Sequence, residues 1–272
     1  TKSPAKIIKS FSRMFYSLEA KRKFRRFLED TRPDIIYIIH WHNKISPSIL
    51  DVARNMGIKV VHRLSDFQYV CPNALCYTRG HICEQCIKGN SLACIKQRCV
   101  LDSALLSAIK LTAMKFHNLI GVRNKIAAFV VPSAFTISLV TKGGMPKDKM
   151  NLIPTFFNLK EKDPEVEYGD FFLFTGRLTP QKGLETLIKA FAGTNYKLKI
   201  VGSAPDDSYI PKLQDLLGSA KNNVEFLGHN NFEEIKPLLR RCRATIMPAE
   251  GYDNFPNVIL ESFGYKKAVI AS

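Results

Sequence analysis

The sequence predicts an α/β protein of two doubly wound, parallel-sheet domains facing a cleft. Three observations carry that expectation. Short apolar runs alternate with segments of helical period through both halves of the 272-residue chain, as parallel strands joined by right-handed crossovers require. Pro154-Thr-Phe-Phe-Asn158 and the mixed-charge stretch 160–170 interrupt this rhythm near its middle, where a linker belongs. A hydrophobic content of 46% is ample for two cored domains, here 1–157 and 158–272.

In the first domain, residues 1–32 read as an amphipathic helix, with Ile7, Ile8, Phe11, Phe15, Leu18 and Phe27 at roughly helical intervals. Residues 34–40 then read as a strand, 45–56 as a helix, 58–64 as a strand, 102–121 as a helical stretch, 129–132 as a strand and 134–142 as a helix. In the second domain the strands are 171–175, 197–201 and 224–227, alternating with helices at 183–192, 209–218 and 232–240. A closing β-α-β follows at 244–247, 257–265 and 268–271, with Pro256 placed in the first helical turn, where a missing N–H is harmless.

Charge divides unevenly. Residues 1–158 carry 25 Lys+Arg against 9 Asp+Glu, and residues 159–272 carry 15 of each, so the whole net charge of +16 lies in the first half. Ten basic and three acidic residues fall within 1–32. That pattern suits a helix lying on an anionic membrane surface, and equally a surface helix packed on its own domain. No helix-turn-helix, finger or RNA-stacking signature accompanies the charge, which argues against nucleic acid as a partner. No run of about 18 uncharged apolar residues occurs and no signal peptide is evident, so the expectation is a cytoplasmic enzyme, at most peripheral to the cytoplasmic face of the membrane.

The most informative stretch is 247–272. Asp253 lies in a strand-to-helix loop and Glu261 on the helix that follows, flanking a helix start at Phe255, Pro256 and Asn257 whose unpaired N–H groups and dipole suit a phosphate. The carboxylates suit sugar hydroxyls on either side of it, so a sugar diphosphate meets both demands. From spacing alone, a loop cap at Asp253 and a solvated Glu261 stand beside that reading. Upstream, a strand ends in the tight turn Gly176-Arg177, and Lys182 follows at a helix start. In an open parallel sheet both loops lie outside carboxyl ends of strands, where ligands bind.

Together these motifs closely resemble the retaining glycosyltransferases of family 4 (glycosyltransferase group 1), which have the GT-B fold of two Rossmann-like domains. That family places an acidic pair, usually Glu and Glu separated by seven residues, after a strand, and a Gly-Arg-Leu…Lys-Gly segment supplies cations to the diphosphate. Asp253 stands at the first acidic position, one methylene shorter, and Glu261 at the second. Glu250 lies nearby at the wrong spacing. The resemblance is strong over 171–272, moderate over 34–157 and nearly absent from the first 30 residues. It implies that the chain is cut at both ends, lacking a first strand and the closing helices.

The resemblance further implies transfer of a sugar from a nucleoside diphosphate, UDP- or GDP-linked, to a glycan or lipid-linked acceptor with retention of configuration, in surface polysaccharide or glycolipid assembly. Arg177 and Lys182 would stabilise the departing diphosphate, Asp253 would orient the donor sugar, and Glu261 would bind ribose. Gly176, Phe255, Pro256, Asn257, Gly202, Ser203 and Gly228 would line the donor site, and no cofactor is required for the transfer. On the acceptor side stand His42, Asn43, Ser65 and Asp66. The family often has His-Asp where this chain has Ser65-Asp66, and serine is no proton carrier near neutral pH, which leaves His40 or His42 to substitute. Two other readings stay open: a sugar-nucleotide epimerase of the same architecture, and a non-catalytic nucleotide-binding remnant.

Six of the seven cysteines lie between Cys71 and Cys99. Cys83, Cys86, Cys94 and Cys99, spaced C-x2-C-x7-C-x4-C, suit a closed structural zinc site. Free or redox-labile thiols and disulfides remain alternatives, the last disfavoured in a cytosolic protein.

Overall fold

Ser17 starts helix α1 (Leu18–Thr31) by accepting a hydrogen bond from the Ala20 amide at 3.2 Å, and Arg32 ends it in left-handed backbone at φ 41°. The coordinates are a computed structural model of the chain and describe residues 13–42, 45–158, 167–206, 208–218 and 223–272. Ile7, Ile8 and Phe11 of the expected amphipathic helix lie outside the described residues. Within α1 only Leu28 is buried, while Leu18 and Phe27 are exposed. The helix is anchored at its start: the Ser17 amide donates to Ser46 Oγ at 3.0 Å, and Ser48 Oγ donates to the Ser17 carbonyl at 2.8 Å.

The chain divides into two compact units, Thr1–Arg79 with Cys83–Pro154, and Thr155–Ser272 with Gly80–Ile82. In the first unit, β1 (Ile35–Ile38), α2 (Ser48–Asn55), β2 (Lys59–Arg63), α4 (Ala104–Leu119), β5 (Ala128–Val131), α5 (Ala134–Lys142) and β6 (Met150–Leu152) build a four-stranded parallel sheet of order β1-β2-β5-β6. The α2 helix starts three residues later than its apolar pattern suggests, because Pro47 holds the position just before it. The strand β6 escapes a sequence reading: Met150-Asn151-Leu152 is too short and mixed to show a period. The cysteine segment forms a small two-stranded sheet, β3 (Tyr77–Thr78) with β4 (His81–Ile82), and a single helical turn, α3 (Ala93–Lys96).

The second unit follows the expected rhythm closely. It comprises β7 (Phe171–Thr175), α6 (Leu184–Phe191), β8 (Lys197–Val201), α7 (Tyr209–Leu217), β9 (Val224–Gly228), α8 (Phe232–Arg241), β10 (Thr245–Met247), α9 (Asn257–Gly264) and β11 (Val269–Ala271). Its parallel sheet has the order β11-β10-β7-β8-β9. Side chains alternate across β7: Phe174 packs with Leu184, Ile188 and Leu213 on one face, and Phe171 and Leu173 pack with Leu239, Cys242 and Tyr265 on the other. Helices therefore cover both faces, as burial of a parallel sheet demands.

Two polar devices hold this unit's periphery. The Asn223 amide nitrogen donates to the carbonyls of Phe191, Thr194 and Tyr196 at 2.8, 3.1 and 3.1 Å, stitching down the turn after α6. Lys267 is buried beside the Tyr168 ring, and its ammonium donates to the Glu167 carbonyl at 2.6 Å. Among the described residues no helix is long and apolar enough to cross a membrane.

Candidate functional site

Chain order reverses in the second sheet between β7 and β10, which are neighbours although two strands and three helices separate them in sequence. Loops leaving the carboxyl ends of such a pair diverge and open a crevice, the place where ligands of doubly wound sheets bind. The Gly176–Lys182 turn leaves β7 at this point, and the Pro248–Asp253 loop leaves β10. The predicted donor-site residues on these two loops therefore share one corner of the unit.

Backbone contacts fix that corner. The Gln181 carbonyl accepts from the amides of both Glu250 and Gly251 at 3.0 Å. Gly183 adopts φ +69°, and a Cβ there would lie 1.6 Å from the Pro248 carbonyl oxygen. A second string of contacts joins three of the predicted glycines: Gly176 N–H donates to Val201 O at 3.0 Å, and Gly202 N–H donates to Gly228 O at 2.7 Å. A Cβ on Gly202 would lie 1.8 Å from the Gly176 carbonyl oxygen. Leu178 N–H donates to the carbonyl of Ser203, whose side chain is exposed.

The charged groups fall into three states. Arg177 is exposed, and its guanidinium has no partner among the described residues. The Lys182 ammonium pairs directly with the Asp253 carboxylate, so the predicted diphosphate cation and the predicted sugar acceptor neutralise one another in the unliganded protein. Glu261 is half-buried with no hydrogen-bonded or ionic partner for its carboxylate among the described residues, and burial raises its pKa. Glu250 instead accepts from Thr186 Oγ1 at 2.5 Å.

The helix start between these groups is open. Pro256 is the residue just before α9, at φ −74° and ψ 118°, and not within its first turn as the sequence suggested. No side chain caps α9, so amides at its start remain available to an anion. Phe255 is half-buried and Asn257 exposed. Ser262 seats the helix on the sheet: its Oγ lies 2.7 Å from Thr245 Oγ1 and donates to Val258 O at 2.6 Å.

In the first unit, the acceptor-side residues lie at the carboxyl ends of β1 and β2. His42 stacks on the buried Trp41 with ring centroids 3.8 Å apart, and burial followed by neighbouring His62 holds its pKa well below the usual imidazole value. Asp66 accepts from the Gln68 amide at 2.9 Å and lies 3.5 Å from His40 Nδ1, and burial raises its pKa. Ser65 is exposed, and Asn43 lies outside the described residues. Sequence reading missed His62 and Tyr69, whose Nδ1 and hydroxyl lie 2.8 Å apart beneath this cluster. Burial drives His62 down to about 4. It also missed Lys110 and His117, although their i, i+7 spacing on α4 was a usable signal.

The cysteines are free thiols. Cys83 Sγ faces Gln97 Oε1 at 3.7 Å, and Cys86 and Cys94 Sγ face the carbonyls of Ser91 and Ser107 at 4.0 Å. Among the described residues, no group of three or more His, Cys, Asp and Glu side chains is arranged to hold a metal ion, while the Cys86 and Cys94 thiols are hydrogen-bonded to each other and Cys99 lies close enough to Cys94 to raise its pKa.

Comparison with known proteins bears on both units. Residues 156–272 match the family model described as glycosyl transferases group 1. An uncharacterised glycosyltransferase of Methanocaldococcus jannaschii is 28% identical over 141 residues, covering 50% of this chain and 38% of that protein. D-rhamnosyltransferase WbpZ of Pseudomonas aeruginosa is 35% identical over 103 residues, covering 38% of this chain and 26% of that protein. The matched segments thus span well under half the length of these curated relatives. Among solved structures, Anabaena HepE in complex with UDP and glucose superposes with a TM-score of 0.63 at 17% identity, covering 92% of this chain and 62% of that one. This likeness establishes the fold class as GT-B, with one Rossmann-like unit in each half.

Proposed function

We propose that this chain is a retaining glycosyltransferase that moves a sugar from a nucleoside diphosphate to an anionic glycan or lipid-linked acceptor. The observation that carries the reading is the corner where β7 and β10 part. There an unpartnered Arg177 and the Lys182–Asp253 pair lie on loops locked together through Gln181 and Gly183, and the uncapped helix α9 that follows carries the unpaired Glu261. The match of residues 156–272 to group 1 glycosyl transferases supports it.

In this reading the unliganded ion pair exchanges partners: Lys182 turns to the diphosphate and Asp253 to the donor sugar hydroxyls. Charge grows on the diphosphate as the glycosidic bond breaks, and Arg177, Lys182 and the α9 amides are already in place to meet it. The departing phosphate takes the acceptor proton, so no protein base is assigned, and neither a metal nor a cofactor has a part in this step. Glu261 accepts from the ribose hydroxyls. UDP is the first nucleotide to test, since HepE was solved with it, with GDP and ADP beside it.

Calorimetric titration with UDP, GDP and ADP tests the donor site. One nucleotide should bind at micromolar strength, and Arg177→Ala should weaken it about tenfold and slow turnover about a hundredfold. Equal affinity in wild type and Arg177→Ala would remove Arg177 from the site. Release of nucleoside diphosphate that depends on added acceptor marks a transferase. Product without acceptor would mark an epimerase, and neither would mark a binding remnant.

A further inference from the structure

Two thiols of the cysteine segment already touch. Cys76 S–H donates a hydrogen bond to Cys71 Sγ within the loop that follows β2, and both residues are buried. The loop is closed before any cross-link forms. Cys71 N–H donates to the Phe67 carbonyl at 2.8 Å, Ala74 N–H to the Cys71 carbonyl at 3.0 Å, and Phe67 N–H to the Ala74 carbonyl at 3.2 Å. Ala74 and Cys76 adopt left-handed backbone at φ 66° and 50°, which folds the chain back so that side chains five positions apart meet. Asn73 pins the same loop: its Oδ1 accepts from the Leu75 amide at 3.0 Å, and its Nδ2 donates to the Tyr77 carbonyl at 2.8 Å.

The two sulfurs are not equivalent. The hydrogen bond from Cys76, joined by the backbone amides of Cys76, Asn73 and Ala74, outweighs burial and holds Cys71 below the usual thiol pKa. The same bond and burial push Cys76 up. Cys71 is therefore the nucleophile of the pair, and Cys76 is the thiol that keeps its proton beside it. Cys86 and Cys94 also touch, but burial pushes them to about 12 and about 11, so both stay protonated near neutral pH.

We propose that Cys71 and Cys76 form a peroxide-sensitive dithiol that closes a disulfide within the loop after β2. The Cys71 sulfur gives an electron pair to one oxygen of hydrogen peroxide, the O–O bond breaks, and the departing hydroxide takes up a proton to become water. The Cys76 sulfur then attacks the sulfenic Cys71 sulfur; the S–O bond breaks, and the hydroxyl leaves with the Cys76 proton as a second water. Two thiols are thereby oxidised, and one peroxide is reduced to two waters. The chemistry involves no group of the donor corner.

Peptide mapping of the whole protein is the test. Native protein is treated with hydrogen peroxide at about pH 7, its remaining thiols are capped with N-ethylmaleimide, and the tryptic digest is read by mass spectrometry. The peptide that carries both Cys71 and Cys76 should appear uncapped and about two mass units lighter than its dithiol form. It should form about tenfold faster than any disulfide between Cys86 and Cys94. Cys76→Ser should stop the reaction at a Cys71 sulfenic acid, trapped by dimedone, and Cys71→Ser should leave Cys76 unoxidised. The wild-type map is decisive even where a variant fails to fold. A Cys71 and Cys76 that both end up capped, a Cys86–Cys94 disulfide that forms as fast, or oxidation of Cys76 in Cys71→Ser overturns the proposal.

Discussion

Glu261 is the residue whose state says most about the second unit. A carboxylate half out of water without a cation is held in the protein at a cost, and its raised pKa expresses that cost. The sign follows from linkage. With the folded pKa above the unfolded one, the native state is penalised at neutral pH, and the penalty disappears as pH falls through the folded value toward the unfolded one. Glu261→Gln should therefore raise Tm at pH 7 to 8 by a few degrees, with the gain vanishing near pH 4, while nucleotide affinity falls. A Tm difference that stays constant from pH 8 to pH 4 would show that the penalty is not electrostatic. Arg177, Lys182, Asp253 and Glu261 were legible in the sequence because a short motif carries each of them. The pairing of Lys182 with Asp253 was not, since 71 positions separate the two and only the strand order brings them together. His62 and Tyr69 were missed for a related reason: both lie on or after an ordinary apolar strand, and only packing reveals their mutual contact.

Among the elements, the turns constrain the site more than the helices do. The short 3-10 turn Pro180–Lys182 sets Lys182 on its course, and Gly183 closes it in left-handed backbone hard against the Pro248 carbonyl. Gly183→Ala must push the β10 loop away and strain its own backbone, at a cost of about 2–4 kcal/mol. Denaturant unfolding should show that loss together with weakened nucleotide binding, and a variant as stable as wild type would mean that the loop yields freely. By contrast, Ser262 grips Thr245 through an ordinary hydroxyl contact. The regular elements of the second unit could be read from periodicity almost to the residue, as β7 and β8 illustrate, because each is a buried strand bounded by Gly or Pro-rich turns. The β3 and β4 pair and α3 could not, since in so short a segment cysteine spacing gives no periodic signal.

At the scale of the whole molecule, the buried histidines make the first unit sensitive to mild acid. His42, His62 and His117, all of the first unit, have pKa values lowered chiefly by burial, with His62 at about 4. A lowered imidazole keeps its proton off in the folded state while the unfolded chain, near 6.5, takes one up, so stability falls as pH drops from about 6.5 toward 4. For His62 alone the loss is on the order of 3 kcal/mol at most. Hydrogen exchange at pH 5 compared with pH 7 should show β1, β2 and β5 losing protection before β7 and β8, and His62→Asn should narrow the difference. Earlier loss in β7 and β8 would contradict this account. The two sheets were legible from the alternation of strands and helices; their acid response was not, because burial of a histidine is a property of the folded packing.

The amide of Asn223 also sets a limit on how the protein ages. Three carbonyls rely on its two N–H donors to hold the turn after α6. Hydrolysis of that amide over time, a change of a single mass unit, turns the donor into a carboxylate that can only accept, facing three other acceptors. A chemical lesion almost invisible by mass would thus reverse the polarity of a structural joint and loosen the end of α6, far in sequence from the altered residue.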